Sequence, residues 1–340
     1  MKPATVCVLA CVSKMKGPVM RLPCKILFRV VLVIFCLFCF HTVFPAQNQE
    51  DSSRENAVAM IQEQDRKAGN RMVLTIKDVE YPFCWCPAET FTMGSPDSEF
   101  WRIGNEKQHS VTFTKGYWML ETEVTQQMWE GVTGKNRSRF KGAKLPVERV
   151  SWEDCQKYIS QLNDMGIAPR GMKFSLPTDA QWEYACRAGT TTPYHFGSAL
   201  NGDNANCNGT MPYGTEKSGM YLKKTVEAGS YPANAWGLYD MHGNVWEWCS
   251  DWYGADCSSS ETDPTGPTTG SFRVIRGGGL YSNSSDCRSA IRICYAPPNR
   301  GSNIGFRLAL VHDAAAVHSI SSVLKPPESA VISNENPKNE

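Results

Sequence analysis

Apolar residues recur at helical spacing in three stretches of this chain, and each stretch opens on a side chain suited to an N-cap. Thr178-Asp-Ala-Gln181 has the form of a capping box, with Trp182, Ala185 and Cys186 on one face and Gly189 just past the end. Ser151-Trp-Glu-Asp154 opens a second helix carrying Trp152, Cys155, Ile159 and Leu162. Thr125 caps a third, with Met128, Trp129 and Val132 before Gly134 stops it. Strands are predicted at Ser110–Phe113, Gly116–Leu120, Arg273–Arg276 and Gly305–Leu310, with long turns between them and no internal repeat. The pattern predicts an α+β domain rich in irregular backbone. Peptide groups without regular partners must then be satisfied by side chains or ions.

The ends of the chain carry a different pattern. Lys14, Lys16, Arg21, Lys25 and Arg29 precede an apolar run from Val30 to Phe40, and Pro45-Ala46 leads into polar sequence. That run is short against the roughly 20 residues of a membrane span, so residues 1–46 are expected to be a cleaved signal peptide, with a retained anchor as the alternative. Met20 is a plausible true start. Residues 47–71 read as a linker and 72–312 as the single globule. Residues 313–340, polar and without aromatics, read as a disordered tail. The expected location is exported, periplasmic or extracellular, with membrane contact only through the N-terminal segment.

Charge removes one class of partner. With 35 basic and 34 acidic residues the net charge is +1, which leaves no electrostatic footprint for nucleic acid. The 14 cysteines suggest export or metal chemistry. Five of them (Cys7, Cys11, Cys24, Cys36 and Cys39) fall in the leader. The other nine are an odd number and include no CxxC pair. Cys84-Trp-Cys86 places two thiols on one face of a strand, but no second pair completes a zinc set. Packed core thiols are the expectation for most. All ten tryptophans lie between Trp85 and Trp252 and mark the centre of the core, so Trp246, Trp248 and Trp252 are read as packing rather than a sugar-stacking surface.

Seven blocks then follow in order. They are Phe91-Thr-Met-Gly-Ser95, Glu121-Thr-Glu-Val-Thr-Gln126, Leu145-Pro-Val-Glu-Arg-Val-Ser-Trp152, the Leu176–Gly189 segment, Gly237-Leu-Tyr-Asp-Met-His-Gly-Asn-Val-Trp-Glu-Trp248, Arg276-Gly-Gly278 and Asn303-Ile-Gly-Phe-Arg307. This set resembles the formylglycine-generating enzyme (sulfatase-modifying factor) family over about residues 80–311. The resemblance implies a single C-type-lectin-like domain with little regular secondary structure. It also implies oxidation of a sulfatase cysteine to Cα-formylglycine, with oxygen and Cu(I) held by two thiolates, soft ligands for a soft ion. Counting from Arg276, Ser282 stands where the first thiolate belongs and Cys287 where the second does. The copper pair is therefore incomplete, with Cys294 as a distant second candidate. The resemblance further implies calcium at Asp240, Gly243, Val245 and Glu247, and a second ion at Asn206 and the carbonyl of Cys207, where Ser218 replaces an acidic ligand.

Three functions are compatible with these residues. The first is a copper- and oxygen-dependent oxidoreductase acting on an exported sulfatase or other protein. The second is a non-catalytic module that binds a peptide or glycan, and the third is another modifying activity of the same family. Fold does not choose among them, because chemistry resides in the site.

Overall fold

The computed structural model describes residues 66–254 and 259–313. The leader, most of the linker, Cys257 and all but the first residue of the tail lie outside the described residues. Among the described residues no helix is long and apolar enough to cross a membrane.

All three helices form where their caps predict. They are α1 (Gln126–Thr133), α2 (Trp152–Asp164) and α3 (Asp179–Arg187). In α3 the Thr178 hydroxyl accepts from the Gln181 amide at 3.1 Å, while the Gln181 side chain accepts from the Thr178 amide at 2.9 Å. In α2 Ser151 and Asp154 exchange the same pair of bonds at 3.2 and 3.1 Å. Each exchange satisfies two amides that the first helical turn leaves without partners. Gly134 ends α1 in the left-handed region at φ 69°.

The described residues form twelve strands. The first five are β1 (Arg71–Ile76), β2 (Val79–Cys86), β3 (Thr90–Met93), β4 (His109–Thr112) and β5 (Tyr117–Leu120). Then come β6 (Met172–Ser175), β7 (Trp246–Trp252), β8 (Glu261–Thr262) and β9 (Arg273–Arg276). The last are β10 (Arg292–Tyr295), β11 (Ile304–Gly305) and β12 (Ala309–His312). They make a five-stranded sheet in the order β1-β2-β5-β12-β6, a four-stranded sheet β10-β9-β7-β11, and a three-stranded sheet β3-β4-β8. The stretch predicted as one strand over Gly305–Leu310 is two. Between them Phe306 and Leu308 accept from the Val124 and Leu120 amides at 2.9 Å each, so the chain leaves the small sheet and joins the large one.

The period of two along β2 divides the core. Trp85 faces a cluster with Trp118, Trp129, Tyr158, Trp246, Trp248 and Phe306, while Cys84 and Cys86 face the other way, toward Trp182, Tyr184, Cys186 and Leu238. Trp246 and Trp248 are packing residues, and Trp252 lies against the Arg273 guanidinium at 3.4 Å.

What spans these clusters is ionic. Arg276, Arg288 and Arg307 are each wholly excluded from solvent. Arg276 joins the start of α3 to β9 through Asp179 (2.5 Å) and Glu183 (3.0 Å). Arg307 holds Glu247 of β7 through two parallel bonds of 2.6 and 2.7 Å, and its remaining N–H groups reach the carbonyls of Leu120, Glu121 and Tyr239. Removing one partner of such a pair leaves a buried charge uncompensated. Arg307→Leu is expected to cost on the order of 3–5 kcal/mol in chemical denaturation, and Arg307→Leu with Glu247→Leu should recover part of it. A single variant within 1 kcal/mol of the parent, an order-of-magnitude threshold, would show that the pair carries little weight.

Candidate functional site

Loop 276–288, between β9 and β10, carries Ser282 and Cys287. Gly277 and Gly278 turn the chain at φ 90° and 77°. A Cβ on Gly278 would stand 2.4 Å from the Cys287 sulfur, so the second glycine is required by close approach as well as by its φ. Ser282 does not present a free hydroxyl: its Oγ accepts from the Gly279 amide at 3.0 Å. Beyond it Ser284–Cys287 forms a single 3-10 turn.

Cys287 is buried among Tyr194, Leu200, Ala205, Cys207 and Tyr213. Its thiol donates to the Asn283 carbonyl at 3.7 Å, and the Cys207 sulfur of the same cluster lies 3.5 Å from the Ser284 hydroxyl. The neighbouring Cys287 thiol holds Cys207 below its ordinary value, while Cys207 together with burial pushes Cys287 well above. Cys294 lies on β10 and joins neither. The structure thus brings Cys287 to Cys207, not to Ser282 or Cys294. Sequence reasoning assigned Cys207 only through its carbonyl and missed its thiol.

His242 fixes this loop from beneath. Its Nδ1 donates to the Cys287 carbonyl at 2.7 Å, and its Nε2 accepts from the His195 amide at 3.1 Å. These roles require the neutral ring, and burial lowers the His242 pKa to about 3. It is a satisfied core histidine.

The predicted calcium ligands fall into two environments. Asn206 donates to Asn244 Oδ1 at 3.0 Å and to the Lys224 carbonyl at 2.9 Å, while its own Oδ1 is buried with no partner. That oxygen fits a cation or a donor from water. Its candidate companion, the Cys207 carbonyl, already accepts from the Gly209 amide at 3.1 Å, and Ser218 is exposed. Gly243, at φ 112°, lets the Asn206 backbone approach, since a Cβ there would meet the Asn206 carbonyl at 2.6 Å.

At the other set both Glu247 oxygens are engaged by Arg307, and Oε2 also accepts from Trp182 Nε1 at 2.7 Å. Glu247 is a counter-ion here, and a calcium ion bound through it would have to compete with a buried guanidinium. Asp240, at φ 54°, accepts from the Gly229 amide at 2.6 Å. Val245 is fully buried ahead of β7.

Beside Asp240 stands Glu123, a residue the sequence reading quoted but did not single out. Its Oε1 accepts from Asn244 at 3.0 Å, and its Oε2 is buried without a donor while it faces the Asp240 carboxyl. A proton shared between them would satisfy both acids, as would a cation. Burial and the neighbouring Asp240 and Glu247 push Glu123 well above the usual carboxylate range, and burial raises Asp240 to about 6.

These comparisons place the chain in a family. Residues 80–312 match the model of the sulfatase-modifying factor enzyme 1-like domain, and the chain belongs to that family. It is 36% identical over 199 residues to the formylglycine-generating enzyme of Streptomyces coelicolor, a match covering 53% of this chain and 60% of that enzyme. The chain therefore spans less than two thirds of that relative's length. Among solved structures it is similar to Treponema denticola variable protein 1, at 27% identity and a TM-score of 0.61 over 70% of this chain and 98% of that one. PvdO from Pseudomonas aeruginosa is similar at 28% identity and a TM-score of 0.60, covering 72% and 99%. The fold is the α+β, C-type-lectin-like fold of this family, with short helices and much irregular backbone.

The Glu123–Asp240 pair has a pH signature. A carboxyl raised in the folded state binds its proton more tightly there than in the unfolded chain. Stability from this pair is therefore greatest at low pH and falls as pH rises from the ordinary carboxylate value through the raised one. With chelator present, Glu123→Gln should melt above the parent at pH 8, by on the order of 1–2 kcal/mol, and the gap should close toward pH 5. A gap that does not change with pH would sink the shared proton.

Proposed function

We propose that this chain is a protein-recognising member of the sulfatase-modifying family that works without bis-thiolate copper oxidation. One observation carries the reading: Ser282 is tied to the Gly279 amide, and the Cys287 thiol is turned into the core against Cys207. A copper oxidase of this family needs two thiolates that reach a substrate, and a hydroxyl is a poor ligand for Cu(I).

The same loop borders a face suited to a protein partner. Phe100 and Trp101 are each 67% exposed, with their rings in edge contact at 5.4 Å. They are held out rather than left loose. Arg288 donates to the Trp101 carbonyl at 3.0 Å and to Glu99 at 2.5 Å, Tyr213 donates to the Phe100 carbonyl at 2.9 Å, and Trp101 sits at φ 58°. Exposed Met211 belongs to the segment paired with the loop, its carbonyl accepting from the Ser284 amide at 3.2 Å. Rigid exposed aromatics of this kind are the usual anchors of protein recognition. The formylglycine-generating relatives, by their name, modify protein side chains, which supports a protein or peptide as the ligand class.

The test has two arms. Full-length chain incubated with Cu(I), oxygen and a Cys-x-Pro-x-Arg peptide is expected to yield no aldehyde by hydrazide capture, and aldehyde formation would overturn the reading. A displayed peptide library panned on the chain is expected to enrich sequences whose binding falls at least about tenfold in Phe100→Ala or Trp101→Ala. If no peptide is enriched, or enriched peptides bind both variants unchanged, recognition through this face is refuted.

A further inference from the structure

We propose that Cys207 and Cys287 form a disulfide that staples the loop bearing the family's catalytic position to the segment 205–213. Several independent features converge on this pair. Both residues are buried in one small cluster with Tyr194, Leu200, Ala205 and Tyr213, and neighbouring residues of one loop hold the two sulfurs: Cys287 donates to the Asn283 carbonyl at 3.7 Å, and the Cys207 sulfur lies 3.5 Å from the Ser284 hydroxyl. The two backbones are paired beside the sulfurs, just after Cys207 and just before Cys287. Asn208 donates from its amide to the Ser282 carbonyl at 2.8 Å, Asn208 and Asn283 form a parallel bridge, and the Ser284 amide donates to the Met211 carbonyl. The approach of the thiols is therefore set by main-chain pairing and not by two flexible side chains happening to meet.

The other buried cysteines differ. Cys84 and Cys86 lie on the same strand, separated by Trp85, where one extended backbone keeps them apart. Cys155 lies in α2 in the other large cluster. Cys186 has Ser289 Oγ as its neighbour at 3.6 Å, a hydroxyl that cannot cross-link. Cys249 has the Glu247 carbonyl as its neighbour at 4.0 Å, whereas Cys207 and Cys287 come from distant parts of the chain into one small cluster.

The reaction is thiol–disulfide exchange, with a small-molecule disulfide such as oxidised glutathione as the oxidant. One cysteine, as its thiolate, attacks a sulfur of the oxidant, forms a mixed disulfide and releases one glutathione thiolate. The second cysteine loses its proton and displaces the other glutathione, closing the Cys207–Cys287 bond. Two electrons and two protons pass from the protein thiols to two molecules of reduced glutathione. Because both sulfurs are shielded in the native fold, the exchange takes place during folding, before the cluster closes. The bond then constrains a long loop in the unfolded chain, where cross-links stabilise most.

To test this, the full chain is refolded with oxidised glutathione, alkylated at low pH and digested without reduction. Mass spectrometry should show one cross-linked species joining the peptides of Cys207 and Cys287. The oxidised chain should melt roughly 10 °C above the reduced one. Cys287→Ser should melt with the reduced parent and lose its response to oxidant, and Cys207→Ser should match it. Alkylation of both thiols after refolding, or pairing of either with another cysteine, overturns the proposal. So does a melt that oxidation leaves unchanged. None of these outcomes depends on whether a peptide is bound or an aldehyde is formed.

Discussion

Burying a guanidinium is among the costliest things a fold can do unless partners compensate it, and among the described residues this domain excludes three of them wholly from solvent. Each arginine is satisfied by carboxylates and carbonyls from segments far apart in sequence. Arg276 collects Asp179, Glu183 and the carbonyls of Ser289 and Ile291. Arg288 takes Glu99 and Glu106, and Arg307 takes Glu247 and three carbonyls of two loops. A planar donor fork is matched to this task in a way a lysine is not. Irregular backbone gains directed partners from it, so the long loops can hold one conformation without strands of their own.

That arrangement changes the meaning of the residues around it. Glu247 has the position of a cation ligand, yet Arg307 supplies the positive charge inside the fold. With Glu247 neutralised, the acids left over are Glu123 and Asp240, and they face each other. Arg307 offsets only part of this repulsion, since burial still raises both acids. Glu123 and Asn206 each keep one buried, unpartnered oxygen, and Asn244 joins the two residues: its Nδ2 donates to Glu123 Oε1 and its Oδ1 accepts from Asn206 Nδ2. Polar demand in this region is thus concentrated on one asparagine, itself held in the left-handed region at φ 60°.

Much of the fold was legible in the sequence, and the reason is locality. A helix start is written in four consecutive residues, so Thr125, Ser151 and Thr178 were readable and formed as read. The alternation in Cys84-Trp-Cys86 was legible for the same reason. The break in the strand over Gly305–Leu310 was not, because it is imposed by distant partners: Val124 and Leu120 claim the carbonyls, and Glu247 claims Arg307. The candidate site divides in the same way. The family resemblance pointed to Asp240, Glu247, Asn206 and Cys287, but not to what each would touch. Glu123 stood in a quoted block and could have been singled out as an acid between Thr122 and Val124 in an apolar setting. No local signal revealed that the Cys207 thiol would meet Cys287, since 80 residues separate them, the difference between 287 and 207.

The loop 276–288 shows how one backbone can serve two chemistries. Paired glycines bring it against the core, and Cys287 fills the space that Gly278 leaves open. With two outward thiolates such a loop could hold a soft metal. In this chain the first position is a serine whose hydroxyl accepts from Gly279, and the second sulfur faces inward toward Cys207. The same turn of chain is then a structural clamp: it pins segment 205–213, and through Arg288 it fixes the backbone beneath Phe100 and Trp101. A rigid aromatic pair needs such support, because ordering it only on binding would consume part of the interaction energy. The substitution at Ser282 and the exposure of Trp101 are therefore linked through Arg288, next in sequence to Cys287. On the proposed reading, a chain without the metal site would keep the element on which recognition depends.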